Sequence, residues 1–84
     1  MNGRFAVSTA GHDAGEVYII VGTKDGAVLL ANGIEKTVAK PKRKNRKHIS
    51  VLETQADMKI KERIAQGRGD EEIRQAIRHY LKDK

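Results

Sequence analysis

The pattern of apolar and polar positions changes once along the chain, near residue 53. Before that point, short apolar runs are separated by glycines and by two turn dipeptides, Asp25-Gly26 and Asn32-Gly33. This spacing predicts a meander of strands near residues 4–9, 16–22, 27–31 and 34–40. A fifth strand near 47–52 is left open. Pro41 is predicted to stop the fourth strand, because proline cannot donate a hydrogen bond to a ladder.

The two central strands are apolar on both faces, which indicates a small closed sheet rather than an open one with a wet face. A two-residue turn at Asp25-Gly26 would place Val21 opposite Leu30 and Thr23 opposite Val28. A bulged loop after Asn32 would then place Val38 opposite Val28. One predicted face holds Val17, Ile19, Val21, Val28 and Leu30; the other holds Tyr18, Ile20, Leu29 and Ala31. With Phe5 and Val7, these four or five short strands are expected to close into a small β-barrel.

After residue 53 the apolar period becomes that of helices. Ala56, Ile60 and Ile64 form one stripe that ends at Gly67, with a start near Thr54 or Ser50. A second helix is predicted from a cap at Asp70, on the regular apolar spacing of Ile73, Ala76, Ile77, Tyr80 and Leu81. We therefore expect one structural domain, with a barrel over 1–52 and a two-helix extension over 53–84. The helices would cover the face of Tyr18, Ile20 and Leu29, or else dock on another molecule.

The positive charge is concentrated in one segment. The net charge is +6, and residues 40–48, Lys-Pro-Lys-Arg-Lys-Asn-Arg-Lys-His, hold six of the seventeen Lys and Arg and no acid. The remaining eleven basic and eleven acidic residues balance. Local positive charge favours an anionic partner over a merely solvated loop, and nucleic acid over a membrane surface. The candidate nucleic-acid-binding residues are Lys40, Lys42, Arg43, Lys44, Arg46, Lys47 and His48, together with Arg4 and His12.

Other chemistries find little support. The chain has no cysteine, and no window approaches the apolar length of about 18 residues that a membrane span requires. The N-terminus also lacks the apolar core of a secretory signal, so we expect a soluble, cytoplasmic protein. His12, His48 and His79 lie in separate elements, and Asp13 and Glu16 are interpreted as turn residues. We expect no enzyme activity, no metal site and no cofactor. Phe5, Tyr18 and Tyr80 all fall in apolar patterns, which disfavours a base-stacking platform.

The N-terminal half resembles the KOW motif of ribosomal and transcription-elongation proteins, in which a leading glycine and an apolar strand precede a Gly-x-x-x-Gly loop and a second strand. The matching positions are Gly3, Phe5, Val7, Gly11, Gly15, Val17 and Ile19. With the basic segment, the likeness extends over about residues 3–52 to small KOW-domain proteins similar to ribosomal proteins of the large subunit. It implies an SH3-like barrel that binds structured RNA. Many such proteins carry basic residues in the loop, whereas this loop has His12, Asp13, Ala14 and Glu16, which moves the expected contact to residues 40–48.

The resulting hypothesis is a non-catalytic RNA-binding module that contacts phosphates of ribosomal or other structured RNA. Arg43 and Arg46 would pair with phosphate oxygens through two hydrogen bonds each, and the lysines would act as point charges. Its partners would be RNA and ribosomal proteins in a ribonucleoprotein of translation, and the free protein is expected to be a monomer. The alternative is a protein-interaction adaptor that docks through the barrel or the C-terminal helix.

Overall fold

The computed structural model describes residues 1–83; Lys84, the last residue of the predicted helical extension, lies outside them. Five antiparallel strands form one sheet in the order β4-β3-β2-β1-β5, and two helices follow. The prediction of a mainly β domain with two C-terminal helices is therefore confirmed. The elements are β1 (Arg4–Ser8), β2 (Val17–Lys24), β3 (Ala27–Ala31), β4 (Lys42–Asn45), β5 (Ile49–Gln55), α1 (Met58–Ala65) and α2 (Asp70–Lys82).

The sheet is strongly curved, because its two edge strands are consecutive in the chain. β4 and β5 are joined only by a 3₁₀ turn at Arg46–His48. In a flat five-stranded sheet, the two edge strands would lie about 19 Å apart. The step from Asn45 to Ile49 reaches at most about 14 Å even when extended. The two edges must therefore bend toward each other at this end.

The fourth strand lies later in the chain than predicted. Residues 34–40 form no strand, because side chains of neighbouring segments hold their backbone. The Asn32 carboxamide oxygen accepts hydrogen bonds from the N–H groups of Ile34 and Lys36, and the Asp70 carboxylate accepts one from Val38. Pro41 then precedes β4 instead of ending a strand, and Lys44, rather than Val38, lies opposite Val28.

A β-bulge in β2 changes which residues share a face. The turn at Asp25-Gly26 is the two-residue type predicted, with both residues left-handed (φ 51° and 79°), and Thr23 lies opposite Val28. The register then shifts between Ile20 and Gly22, so Ile20 rather than Val21 pairs with Leu30. Because one residue of slip reverses every side chain beyond it, the β3 residues are assigned to the wrong faces, whereas Val17, Ile19 and Val21 share one face of β2 as predicted. Val28 and Leu30 pack with Ala6, Tyr18 and Ile20, whereas Ala31 packs with Phe5, Val17 and Ile19.

The helices cover the face that holds Phe5 and Ile19, not the face of Tyr18 and Ile20. The buried core on this side takes Ile60 and Ile64 from α1 and, from α2, the two residues Ile73 and Ile77. Packing of the helices on the sheet is thus confirmed, but on the opposite face from the one predicted. The second, smaller core lies on the other face and is bordered by Ile49 and Val51 of β5.

The helix ends differ from the predicted caps by a few residues. The Asp57 carboxylate, not Thr54, caps α1 by accepting the N–H of Ile60 at 3.0 Å. Gly67, with φ 79°, follows the end of α1 as predicted. Gly69, rather than Asp70, is the N-cap of α2, and the Asp70 carboxylate binds the loop at Val38 instead.

Neither helix, within residues 1–83, is long and apolar enough to cross a membrane.

Candidate nucleic-acid interface

The basic segment is largely an edge strand, and this divides its charges between two sides. Alternate residues of a strand point to opposite faces, so Lys42 and Lys44 share one side while Arg43 takes the other. The Lys44 ammonium donates to the carbonyl of Ala10 at 2.7 Å and lies 2.5 Å from the Asp13 carboxylate. The Lys42 ammonium lies 3.1 Å from the other Asp13 oxygen. Lys42 and Lys44 are therefore paired within the protein, and the expectation that every charge of the segment is free for a partner fails for these two.

Asp13 is the centre of this pairing. Besides the two ammonium groups, its carboxylate accepts hydrogen bonds from the Ser8 hydroxyl and the Tyr18 phenol, each at 2.8 Å. Burial alone would raise the pKa of Asp13, but the hydrogen bonds from Lys44, Ser8, Tyr18 and Lys42 together hold that pKa well below its usual value. Burial and the bond to Asp13 raise the pKa of Tyr18 far above its usual value. Asp13 is thus ionised at neutral pH and fixes the loop between β1 and β2, residues 9–16, against β4.

The other basic residues of the segment are exposed. Arg46, Lys47 and His48 form the 3₁₀ turn, which begins where the Asn45 side chain accepts the N–H of Lys47 at 2.8 Å. Within residues 1–83, four cations of the segment are solvent-exposed and make no ion pair. We refer to these as the exposed cation group: Lys40, Arg43, Arg46 and Lys47.

The loop of residues 9–16 lies beside the 3₁₀ turn. The N–H of Thr9 donates to the carbonyl of His48 at 2.8 Å. His12 is exposed in this loop, so the structure brings it to the same end of the sheet as Arg46–His48. The loop therefore adjoins Arg46 and Lys47 of the exposed cation group, whereas Arg43 lies on the other side of β4, beside the Asp25-Gly26 turn.

Arg4 is placed elsewhere. It begins β1, whereas the loop follows Ser8 at the other end of that strand, about 13 Å away along the chain. Its guanidinium Nε donates to the carbonyl of Leu52 at 2.7 Å, which joins β1 to β5. Arg4 therefore supports the sheet and does not lie with residues 40–48.

A cleft of about 570 Å³ lies between α2 and the β5–α1 connection and shares no residue with the basic segment. Phe5 and Tyr80 meet in its wall, with ring centroids 5.0 Å apart. Among residues 1–83, no three His, Cys, Asp or Glu side chains come together as metal ligands. The charged surface, rather than this cleft, is the candidate functional site.

No known family model matches the chain, and neither does any curated protein sequence.

Proposed function

We propose that this protein is a non-catalytic RNA-binding module of the KOW type, which contacts the phosphate backbone of ribosomal or other structured RNA. The observation that carries the proposal is the exposed cation group, four cations on one edge strand and its flanking residues, with no carboxylate of residues 1–83 paired to them. Concentrated cations that the protein leaves unpaired are what a polyanion neutralises, releasing its own counterions.

The architecture supports an SH3-like barrel as the form of this module. The two edge strands of a curved five-stranded sheet are joined by a single 3₁₀ turn, which draws the sheet toward closure. A separate small core, which includes Tyr18, Ile20 and Leu30, lies on the other face of the sheet. Among the described residues, this core contains no residue of α1 or α2. The loop that carries the Gly11 and Gly15 spacing is fixed to the basic strand through Asp13. The two features that resemble KOW proteins therefore belong to one surface.

Recognition of the backbone is the mode that the aromatic residues favour. Phe5 and Tyr18 are 3% and 4% exposed, and Tyr80 packs on Phe5. Binding of single strands usually relies on exposed rings on which bases stack. Cations that contact phosphates position a protein on folded RNA through its shape, without reading sequence directly.

Salt dependence of binding tests this proposal. If four phosphates are neutralised, the logarithm of the affinity for a structured RNA should fall with the logarithm of salt concentration with a slope of about −3, against about −4 to −5 for all six cations of the segment. Replacing Arg43, Arg46 and Lys47 together by Gln should bring the slope to about −1 and weaken binding at low salt. An affinity that does not depend on salt, or is unchanged in this variant, would refute the proposal.

A variant with the same change in net charge provides the control. Arg68, Arg78 and Lys82 are exposed and lie in or next to the helices. Their joint replacement by Gln also removes two Arg and one Lys. If the basic surface is specific, this control variant keeps most of its affinity and a slope close to that of the wild type.

The adaptor hypothesis has one observation in its favour. Ile34 and Leu81 are 69% and 51% exposed, and both line a shallow cleft with Val17 and Ile77 between the loop after β3 and α2. Exposed apolar residues that lie together are typical of a protein contact. Proteins that remain bound to the purified chain after nuclease treatment, and are lost on joint replacement of Ile34 and Leu81 by Ser, would favour the adaptor.

A further inference from the structure

Four consecutive backbone amides in the loop of residues 9–16 have no acceptor in the described chain. The loop is closed by hydrogen bonds from Ser8 to Glu16 and from Gly15 to Ser8, and a turn forms where the N–H of Ala14 meets the carbonyl of Gly11. Within residues 1–83, the N–H groups of residues 10–13 donate no hydrogen bond. They are therefore available to a ligand from outside.

The geometry of the loop turns the Gly11 amide toward solvent. The carbonyl of Ala10 accepts from the Lys44 ammonium at 2.7 Å and from the Ser8 hydroxyl at 3.1 Å, both on the protein side. Since the structure contains no cis peptide, the N–H of Gly11 points opposite to that carbonyl. Gly11 has φ 88°, whereas Ala10 and His12 are not among the residues with positive φ. Such alternation makes successive N–H groups converge on one concavity, an arrangement that binds anions.

The charge behind the loop favours an anion. Lys42 and Lys44 contribute two positive charges and Asp13 one negative charge, so this cluster carries a net charge of +1. The hydrogen bond from the Thr9 N–H to the His48 carbonyl places the loop next to the 3₁₀ turn that holds Arg46 and Lys47. Amides at a protein surface ordinarily bind water. Here they are held in place by Asp13 and lie beside unpaired cations, which favours a phosphate oxygen.

We propose that the amides of residues 10–13 form a backbone nest for one phosphate group of the bound RNA. This inference rests on the proposed function and adds a site at which no side chain of the loop contacts the phosphate. It also gives a physical role to a loop that lacks the basic residues of many KOW proteins: the contact comes from the backbone, and Gly11 supplies the left-handed residue that shapes it.

The direct test is ¹H–¹⁵N NMR of the wild-type protein titrated with a short RNA duplex and, separately, with inorganic phosphate. In the RNA arm, we expect the amide proton resonances of Gly11 and His12 to move downfield together with those of Arg46 and Lys47. In the phosphate arm, the loop amides should move in the same direction at millimolar concentrations. Amides of residues 10–13 that do not respond to RNA while Arg46 and Lys47 do would overturn the inference and leave the proposed function intact. A response to inorganic phosphate without any RNA binding would support the nest and refute the proposed function.

Gly11→Ala provides a second measurement. A Cβ strains this left-handed position, so we expect about tenfold weaker RNA binding with the salt slope still about −3, because no charge changes. Gly67→Ala is the control for left-handed strain, since Gly67 has φ 79° and nothing within 4 Å of an added Cβ, whereas a Cβ at Gly11 would lie at ordinary contact distance from the Lys44 Nζ (3.5 Å) and the Asp13 Oδ1 (3.6 Å). It should show a similar loss of stability and an unchanged affinity. Equal affinity of Gly11→Ala and Gly67→Ala would contradict the nest.

Discussion

Asp13→Asn is a nearly isosteric substitution for which the structure predicts a large loss of stability. Asparagine keeps one oxygen acceptor for Ser8 or Tyr18 but removes the charge. The Lys44 ammonium, on a side chain only 10% exposed, would then keep little more than the Ala10 carbonyl as a partner. Removing one partner of a buried ion pair costs about 3–5 kcal/mol.

The loss should fall at the lower end of that range, because the Lys42 side chain is 31% exposed and its ammonium can turn into water. We therefore expect about 3 kcal/mol lower free energy of unfolding at pH 7. For a domain of this size the total is about 4–13 kcal/mol, so the melting temperature should fall by about 12–24 °C. Urea denaturation followed by circular dichroism measures the loss. Asp25→Asn, at an exposed turn position that has no ion pair within residues 1–83, serves as control and should change stability by less than about 0.5 kcal/mol.

The difference between wild type and Asp13→Asn should also depend on pH. The pKa of Asp13 is lower in the folded protein than in the unfolded chain, where it is about 3.9. Its contribution to stability is therefore fully present above about pH 4 and is lost as pH falls toward the folded pKa. The stability gap between the two proteins should be constant from pH 7 to 5 and narrower at pH 2.5. A gap no larger than that of Asp25→Asn, or one equally wide at pH 7 and pH 2.5, would refute the role assigned to Asp13.

Two further substitutions test how the helices are joined to the sheet. Ile73→Ala removes a side chain with 0% exposure from the core beneath α2, so the free energy of unfolding should fall by about 3–4 kcal/mol in urea titrations; a loss under 1 kcal/mol would contradict this packing. Gly33→Ala would place a Cβ 2.2 Å from the carbonyl oxygen of Asp70, whereas Gly26→Ala, with φ 79° like the 78° of Gly33, meets nothing within 4 Å. The melting temperature should therefore fall several degrees further for Gly33→Ala than for Gly26→Ala; equal values would show that the loop after β3 does not approach α2 as described.

The sequence predicted the helices and three of the strands well, since their signals are local. The stripe of Ile60 and Ile64 and the glycine after α1 depend on short-range geometry alone. The assignment of sheet faces failed because it assumed an unbroken register through β2. Gly22 was the available signal, since a glycine inside an apolar strand often marks a bulge. That one extra residue moves Val28 and Leu30 to the face of Tyr18 and Ile20.

Neither the position of β4 nor the role of Asp13 could be derived from local pattern. A run of Lys and Arg has low strand propensity. Its pairing with β3 depends on the preceding loop, which is held by Asn32 and by Asp70, and Asp70 lies 32 residues after its partner Val38. Asp13 was interpreted as a turn residue because its partners Lys42 and Lys44 are distant in sequence. Their spacing of two was the only hint, since it places both on one side of a strand.

The division of the basic segment has a consequence for any charged edge strand. Alternate side chains of such a strand point to the same face of the sheet. Where that face is buried, its cations must be neutralised there, because a buried ammonium without a partner is costly. Here one carboxylate neutralises two of them, and the alternate residue Arg43 remains exposed together with the cations beyond the strand ends. Under the proposed function, a count of formal charge from the sequence would therefore overestimate the number of cations available to phosphates, six against four. Under the proposed function, the salt slope of binding depends only on the cations that contact phosphates, so it distinguishes four engaged cations from six. The net charge of the chain is the same in both cases and cannot distinguish them.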